Sequence, residues 1–591
     1  MRLILTFIIG LVSFFYLADL IKRVSGKITH SGFGFGLVVL GILVNFLTIP
    51  PFYPPLNLLV ALVLCGGGLG IISYHLLQNS YILSENLEKK FAAKNEGKIE
   101  RLLEILPGAL TWLAITSPLW LSFAFPYAVA YILILADAYW LFNSWKISVL
   151  VLVGYKRYKR AISTNWIERL KKDFSGNWED YSQLIVLPTY KESLEVLVPA
   201  FEAVVASDYP KKKIFLAVGF EAWADQEQVK EVIKLLDKYK SKIGGVFTTI
   251  HTLQEGELKG PATNRNCMIR NAVKELGLKG IKPSQVLTTT LDADFVIDRQ
   301  FLSGALHKYL STPDGKRDKC SYTGVFFYNN NYWQAPSITR LMAAGTAFWQ
   351  LSEMVGSDKY INFASLSMNL QSLLDVGLWM SNKVNDDSGF YWKAYYHYKG
   401  EYQVIPHFLP ISADANLDVT IWKTFKNAYL QLKRWAYGVE HIPYIFTQYF
   451  KRTDMDFWDK TDKLTFILWS YFKWGTLALF IAFGGLLIPL VNPGYTHSAL
   501  AINLPNVSSY LLDGAFVGLF STMFVHEKTV VPRPKDWNIF QKLWSYIQWL
   551  LVPIVLVTIA TIPAIDAQTT LMFGKHLEFR VTNKARAKTV V

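Results

Sequence analysis

The feature that most constrains this chain is a set of long apolar stretches that carry no Asp, Glu, Lys or Arg. They are Ile28 to Ser84, Ile105 to Ala136, Trp474 to Leu512 and Leu543 to Ile565. Stretches of this length can cross the hydrocarbon core of a bilayer. The whole composition agrees, because 51% of the residues are hydrophobic and only 18% are charged. We therefore predict an integral membrane protein.

Helix-breaking residues divide these stretches into spans. The segment Pro50–Pro55 interrupts the first stretch, and Asn492–Gly494 interrupts the third. Pro126 lies near the middle of the second stretch, which predicts two short spans or a single kinked helix. The apolar segment Leu3 to Ala18 has no small-residue cleavage site after it, so we expect a retained helix and not a signal peptide.

Basic residues follow alternate spans, and this pattern orients the protein. The turns Thr48–Asn57 and Val491–Ser508 contain no Lys or Arg, whereas the loops between them are basic. Because basic loops stay in the cytoplasm, we predict a multi-pass protein of the cell or plasma membrane with a cytosolic middle region. Simple alternation would place the tail after His576 outside. The net charge of +14 comes without a continuous basic run, so we expect no nucleic acid partner.

The middle region changes pattern, because short apolar runs alternate with charged stretches of helical period. This alternation predicts an α/β sheet with mostly parallel strands, in which ligands bind at the carboxyl ends of the strands. The predicted strands are Gln183–Leu187, Ile214–Val218, Val246–Ile250 and Val286–Leu291. The predicted helices are Glu192–Ala206, Gln226–Lys240 and Asn266–Leu276.

Polar and acidic residues follow several of these strands. Thr189 and Glu192 follow the first strand, Glu221 follows the second, and Asp292 and Asp294 follow the fourth. Two aspartates at a strand end offer hard oxygen ligands that can share a divalent cation with a phosphate. A single Asp-x-Asp is a weak motif, and its position after an apolar strand strengthens it.

Two further segments are candidates for binding and catalysis. Lys259 and Asn264 lie where a helix begins, which suits an anion or, alternatively, an ordinary loop lysine and helix cap. Asp386 and Asp387 precede an aromatic run, which suits a general base or, alternatively, an acidic helix start.

A third segment lies just before the first C-terminal span. Gln431 and Arg434 share one helical face, and Trp435 offers a plane for stacking on a sugar. The alternative is an interfacial helix with an aromatic anchor.

Taken in order, these segments resemble the processive-type family 2 glycosyltransferases, the group that contains cellulose and hyaluronan synthases. The resemblance covers roughly residues 181–445 in motif order. The tail extends it, because Phe579, Val581, Thr582 and Lys584 match the FxVTxK gating segment of cellulose synthases. In that family this segment is cytosolic, so we expect a cytosolic tail despite the simple alternation.

The resemblance implies a role for each matched residue. Thr189, Glu192, Glu221, Lys259, Asn264, Asp292 and Arg434 would bind the nucleotide sugar. Asp294 with Asp292 would hold Mg²⁺ or Mn²⁺. Asp387, with Asp386 beside it, would be the catalytic base. Gln431 and Trp435 would bind the acceptor, and the tail segment would gate the site.

The implied architecture is a cytosolic α/β domain of the GT-A, Rossmann-like type inserted between groups of transmembrane helices. The predicted divisions are 1–150 (transmembrane, about five spans), 151–180 (basic interfacial linker), 181–410 (catalytic domain), 411–460 (interface helices), 461–574 (transmembrane, about three spans) and 575–591 (cytosolic gating tail).

The implied activity is inverting transfer of a sugar from a UDP- or GDP-linked donor to a polysaccharide or a lipid-linked acceptor in contact with membrane lipid. The resemblance favours a polysaccharide synthase over a single-sugar transferase. Two other classes stay open from the sequence: a nucleotide-regulated transporter and a catalytically inactive scaffold.

Overall fold

The structure is a computed structural model, and it describes residues 96–356, 358–361 and 363–579. The first three predicted spans lie outside the described residues, as do Val581, Thr582 and Lys584. The described chain falls into two compact units. One contains Leu110–Val153 and Tyr449–Val525, and the other contains Glu96–Ala109, Gly154–Gln448 and 526–579.

Parts of four long helices make up most of the described residues of the first unit. They are α1 (Glu96–Ala124), α2 (Pro126–Ser163), α13 (Phe457–Val491) and α14 (Ala499–Thr529). Pro126 separates α1 from α2, as its missing N–H and fixed φ angle dictate, so the second apolar stretch forms two helices. With Ile539–Met572, they make five described helices that are long and apolar enough to cross a membrane.

Helices α2 and α14 approach each other closely through small residues. Ser144 Oγ donates to the carbonyl of Ala515 at 2.7 Å, and Ser148 Oγ donates to the carbonyl of Gly518 at 2.7 Å. A Cβ atom at Gly518 would lie 2.6 Å from Ser144 Oγ. Such packing of small and hydroxyl residues is typical of helices that associate inside a bilayer.

The second unit is built on an eight-stranded mixed sheet with the order β3-β2-β1-β4-β7-β6-β8-β5. Its strands are β1 (Ser182–Pro188), β2 (Ile214–Glu221), β3 (Gly245–His251), β4 (Val286–Thr290), β5 (Val296–Ile297), β6 (Cys320–Phe327), β7 (Leu366–Asn369) and β8 (Gln403–Ser412). Strands β1 to β4 are parallel, and all four predicted strands are confirmed. Strand β7 then pairs antiparallel with both β4 and β6.

The parallel half of the sheet sets the position of the candidate site. Pro188 of β1 pairs with Gly219 of β2, and Val186 of β1 pairs with Thr290 of β4. The carboxyl ends of these strands therefore meet at one edge. Their side chains are buried almost throughout, as expected for parallel strands covered on both faces.

Helices cover the sheet and extend from it. They are α3 (Trp166–Asp173), α4 (Leu194–Ala206), α5 (Gln226–Asp237), α6 (Pro261–Leu278), α7 (Phe301–Leu310), α8 (Ser337–Glu353), α9 (Leu370–Val376), α10 (Asp386–His397), α11 (Ile421–Ala436) and α12 (Ile442–Lys451). The three predicted helices correspond to α4, α5 and α6. Helix α2 continues to Ser163, beyond residue 150, where the sequence analysis ended the N-terminal region.

The last apolar segment belongs to the same unit as the sheet. It comprises α15 (Ile539–Ile547), α16 (Val552–Val555) and α17 (Ile562–Met572), joined by short 3₁₀ and π turns. Helix α17 packs on α11, where Asp566 binds Lys433 Nζ at 2.8 Å and the Tyr429 hydroxyl at 2.9 Å. Arg101 donates to the carbonyls of Leu571 and Met572 and so caps the end of α17.

Candidate active site

A buried arginine joins the two acidic motifs of the sequence. Arg265 lies in the second turn of α6, which begins at Pro261, and its side chain is 1% exposed. Its Nη2 is 3.0 Å from Asp292 Oδ1, and its Nη1 is 2.7 Å from Asp386 Oδ2 and 3.1 Å from Asp387 Oδ1. The strand end and the start of α10 therefore share one guanidinium.

The charges of this cluster determine the protonation of its members. Burial disfavours the charged form of Arg265, but the carboxylates of Asp386, Asp387 and Asp292 outweigh it and raise the arginine pKa. Burial, then the neighbouring Asp387 carboxylate, raises the pKa of Asp386 above its usual range. Asp387 keeps 21% of its side chain exposed, against 7% for Asp386, so Asp387 is the more accessible of the two.

The second oxygen of Asp387 is held by the backbone. Asp387 Oδ2 accepts a hydrogen bond of 2.8 Å from the N–H of Ala364. Ala364 has a φ of 62°, in the left-handed region that residues with a side chain seldom adopt. Strain of this kind costs on the order of 1–3 kcal/mol and concentrates at functional sites. Asp387 is thus oriented from two sides.

Asp294, two residues after Asp292, lies in a polar network. Its side chain is buried, and its Oδ2 accepts from the N–H of Asp414 at 2.9 Å. Asn330 Nδ2 binds both the carbonyl of Asp294 at 2.8 Å and Asp414 Oδ1 at 2.7 Å. Asn330 and Asp414 therefore fix the backbone and the carboxylate of Asp294.

Asp292 and Asp294 are the candidate ligands for a divalent cation. Within the described part of the chain, no group of three or more His, Cys, Asp or Glu side chains is arranged to hold a metal ion. Asp292 nevertheless keeps 39% of its side chain exposed next to buried Asp294. Mg²⁺ is usually bound by one or two carboxylates together with substrate phosphates, so two aspartates are enough in number for such a site.

The polar residues at the ends of β1 and β2 form hydrogen bonds within the protein. Thr189 donates through its N–H and its hydroxyl to the carbonyl of Gly219, at 2.7 and 3.1 Å. Glu192 Oε2 accepts from the N–H groups of Tyr190 and Lys191. These contacts shape the loop after β1.

Glu221 is buried and is linked to Glu257 by hydrogen bonds through His251. Its Oε2 is 2.8 Å from His251 Nδ1, and His251 Nε2 is 3.0 Å from Glu257 Oε2. Burial raises the pKa of Glu221, although His251 acts in the opposite direction. Asn264 lies beside it, in the first turn of α6 and not at the helix cap, which is Gly260.

An aromatic surface follows β2. Lys259 is exposed, and its Nζ lies 5.6 Å from the centre of the Trp223 ring, within the range of a cation–π contact. Trp223 also contacts Tyr190, with ring centres 6.5 Å apart. This half-buried surface provides a face on which a planar ring can stack.

Helix α11 brings Arg434 to the cluster. The Arg434 side chain lies near Asp292, Asp386 and Asp387, whose charges oppose the lowering of its pKa by burial. Gln431 Oε1 accepts from Asn416 Nδ2 at 2.6 Å, and Trp435 is half-buried on the same helix. Arg434 therefore lies close to Asp292, Asp386 and Asp387 within one unit.

The start of the tail lies against Arg434 and Gly260. Phe579 places its ring 4.6 Å from the guanidinium carbon of Arg434. A Cβ atom at Gly260 would lie 3.4 Å from the same ring. The Tyr437 hydroxyl donates to the carbonyl of Lys575, which holds the preceding residues of the tail. Of the predicted gating residues, Phe579 alone lies among the described ones.

Several residues of the candidate site were not predicted from the sequence. Arg265 directly follows Asn264 but carries no local signal, because its partners are 27, 121 and 122 residues away. Asn330 follows strand β6 in a run of three asparagines, so reasoning from strand ends could have found it. Trp223 and Asp414 likewise follow strands, β2 and β8, so the same reasoning could have found them.

Comparison with known proteins adds the following. No family model matches the chain. Chitin synthase VI of Metarhizium acridum (strain CQMa 102) is 25% identical over 198 residues, which cover 31% of this chain and 30% of that protein. The match thus spans less than a third of the length of that relative.

Solved structures align over longer ranges. The mannosyltransferase PcManGT from Pyrobaculum calidifontis, in complex with GDP-Man and Mn²⁺, is 15% identical and has a TM-score of 0.38. That alignment covers 73% of this chain and 97% of the other. S. aureus TarS 1–349 in complex with UDP-GlcNAc is 12% identical, with a TM-score of 0.30, over 68% of this chain and 94% of the other.

Proposed function

We propose that this protein is a membrane-embedded glycosyltransferase that moves a sugar from a nucleotide-sugar donor to an acceptor with inversion at the anomeric carbon. The observation that carries the proposal is the guanidinium of Arg265, which binds Asp292 on one side and Asp386 and Asp387 on the other. A donor held at Asp292 would therefore lie next to a candidate base. The resemblance to the family 2 enzymes and the relative named as a chitin synthase support the same class.

The donor would bind at the edge formed by the ends of β1, β2 and β4. Its base would stack on the surface of Trp223 and Tyr190, with Lys259 alongside, and its sugar would lie at Asp292. Asp294 and Asp292 would hold Mg²⁺ or Mn²⁺, which neutralises charge on a leaving diphosphate. Arg434 would add positive charge from helix α11.

Asp387 would accept the proton of the acceptor hydroxyl. It is more exposed than Asp386, and its two oxygens are oriented by Arg265 and by the N–H of Ala364. Asp386 is buried, its pKa is raised, and it accepts a hydrogen bond from Arg265. It would therefore hold the guanidinium in place. This assignment gives the two neighbouring aspartates different roles.

The acceptor would approach along helix α11, where Trp435 offers an aromatic face and Gln431 is held by Asn416. Phe579 would lie over the donor site through its contacts with Arg434 and Gly260. A cytosolic tail that reaches the site in this way suits a polysaccharide synthase with a gating segment. Mass spectrometry of products decides the acceptor class, because a synthase yields a ladder of lengths and a single-sugar enzyme yields one product.

Release of nucleoside diphosphate tests the proposal. The protein in lipid is incubated with UDP- and GDP-sugars in the presence of Mg²⁺ or Mn²⁺. We expect release with at least one donor, loss of release on removal of the cation, and a fall of about 10²–10⁴ in rate for Asp387→Asn. Asp314→Asn, whose side chain is 85% exposed, is the matched control and should keep the wild-type rate. Silence across the whole panel would favour the inactive scaffold or the regulated transporter.

A further inference from the structure

The segment that follows helix α11 holds the turn that carries the candidate base. Glu440 Oε1 accepts from the N–H of Val384 at 2.8 Å and from the N–H of Asn385 at 2.9 Å. Glu440 is 7% exposed. Both N–H groups lie just before the first turn of α10, where Asp386 and Asp387 stand, and such groups have no partner within their own helix.

His441 holds the other side of the same turn. Its Nε2 is 2.9 Å from the carbonyl of Asn385 and 3.1 Å from Ser388 Oγ. Its ring is 1% exposed, and burial lowers the pKa of His441 to about 3, so the imidazole is neutral at physiological pH. Because Nε2 faces a carbonyl oxygen, it carries the hydrogen and donates.

A third contact joins this turn to the acceptor helix itself. Asn385 Nδ2 donates to the carbonyl of Arg434 at 2.8 Å. Asn385 therefore uses its N–H, its carbonyl and its side chain to bind three residues at the end of α11 or just beyond it. All these groups are buried or half-buried, and an unmade hydrogen bond there is costly.

We infer that Glu440 and His441 are positioning residues that lock the Asp386–Asp387 turn to the end of helix α11, so that the base and the acceptor-binding helix stay in fixed register. Neither residue would touch the substrates. The inference rests on the proposed function, because it assigns Asp387 as the base. Proton transfer needs heavy atoms within hydrogen-bond reach, and a misplacement of about 1 Å can cost on the order of 10²-fold in rate.

Single variants test the two residues. Glu440→Ala should lower kcat about 10- to 100-fold and leave the donor KM nearly unchanged. Glu440→Gln should restore most of the rate, because its amide oxygen can accept both hydrogen bonds that Oε1 accepts. His441→Leu should also lower kcat, and His441→Gln should recover part of it through its amide N–H. His407→Leu is the matched control, since His407 is also buried, in β8, and its hydrogen-bond partner is Leu409, outside the turn; this variant should keep the wild-type kcat.

A double-mutant cycle separates positioning from loss of fold. If Glu440 acts through Asp387, then Glu440→Ala in an Asp387→Asn background should cause little further loss of kcat. Multiplied losses would overturn the inference, as would an equal rise in the donor KM for Glu440→Ala. A wild-type protein that releases no nucleoside diphosphate would instead overturn the proposed function, and this inference with it.

Discussion

Among single residues, the proposed site depends most on one positively charged guanidinium group that binds several carboxylates. Arg265 is nearly inaccessible to solvent, and its bonds to Asp292, Asp386 and Asp387 compensate charges that would otherwise repel each other. Removing one partner of a buried ion pair leaves uncompensated charge behind. Arg265 is therefore expected to contribute both to the stability of the protein and to the chemistry of the candidate site.

Arg265→Gln should destabilise the protein by about 3–5 kcal/mol, because it leaves three carboxylates clustered without their counter-ion. Thermal unfolding of the detergent-solubilised protein measures this as a lower midpoint. Arg270→Gln is the matched control, since Arg270 lies on the same helix with an exposed side chain and should shift stability by no more than about 0.5 kcal/mol. Equal midpoints for the two variants would contradict the structural role of Arg265.

At the scale of elements, the sequence predicted the parallel half of the sheet and not the rest. Strands β1 to β4 alternate with helices in regular order, so their period is visible along the chain. Strand β7 was not predicted because it is only Leu366–Asn369 and its partners β4 and β6 are remote in sequence. Strands β6 and β8 were not predicted either. Strand ends located the acidic residues correctly, whereas the helix-borne Arg265 required the fold.

The contact between α2 and α14 gives a prediction at this scale. Gly518→Leu should separate the two helices, because even a Cβ atom at that position would overlap Ser144 Oγ and Ser148 Oγ. Overpacking of this kind typically costs about 1–3 kcal/mol. A lower unfolding midpoint in detergent should report it. Val517→Leu adds volume to the neighbouring residue, which is 53% exposed, and should leave the midpoint unchanged. A midpoint for Gly518→Leu equal to that of Val517→Leu would contradict the packing.

For the molecule as a whole, the contacts on either side of the last apolar segment are relevant to the side of the membrane on which the tail lies. Asn329 and Trp333 of the sheet unit bind the backbone of Thr529 and Val531, before the last apolar segment. Tyr437 and Arg434 of the same unit contact Lys575 and Phe579, after it. Both ends of the segment thus contact the unit that carries the candidate site. Simple alternation of spans had placed the tail on the opposite side from this unit.

We expect the tail and the sheet unit to face the same side of the membrane. Single cysteines introduced by Lys575→Cys and Glu255→Cys should react with an impermeant maleimide from the same side of sealed vesicles, because the tail contacts the sheet unit. Thr496→Cys, in the turn between α13 and α14, should react from the other side, because that turn carries no Lys or Arg. Labelling of Lys575→Cys together with Thr496→Cys would contradict this topology.

In the proposed mechanism, the aspartate pair after β4 binds a nucleotide through a cation, while Asp387 accepts the proton of the acceptor hydroxyl. Titration of the protein with UDP and GDP, with and without Mn²⁺, tests this division of roles. We predict cation-dependent binding of one nucleotide that is abolished by Asp292→Asn and preserved by Asp387→Asn. Cation-independent binding, or binding that Asp292→Asn leaves intact, would contradict the account.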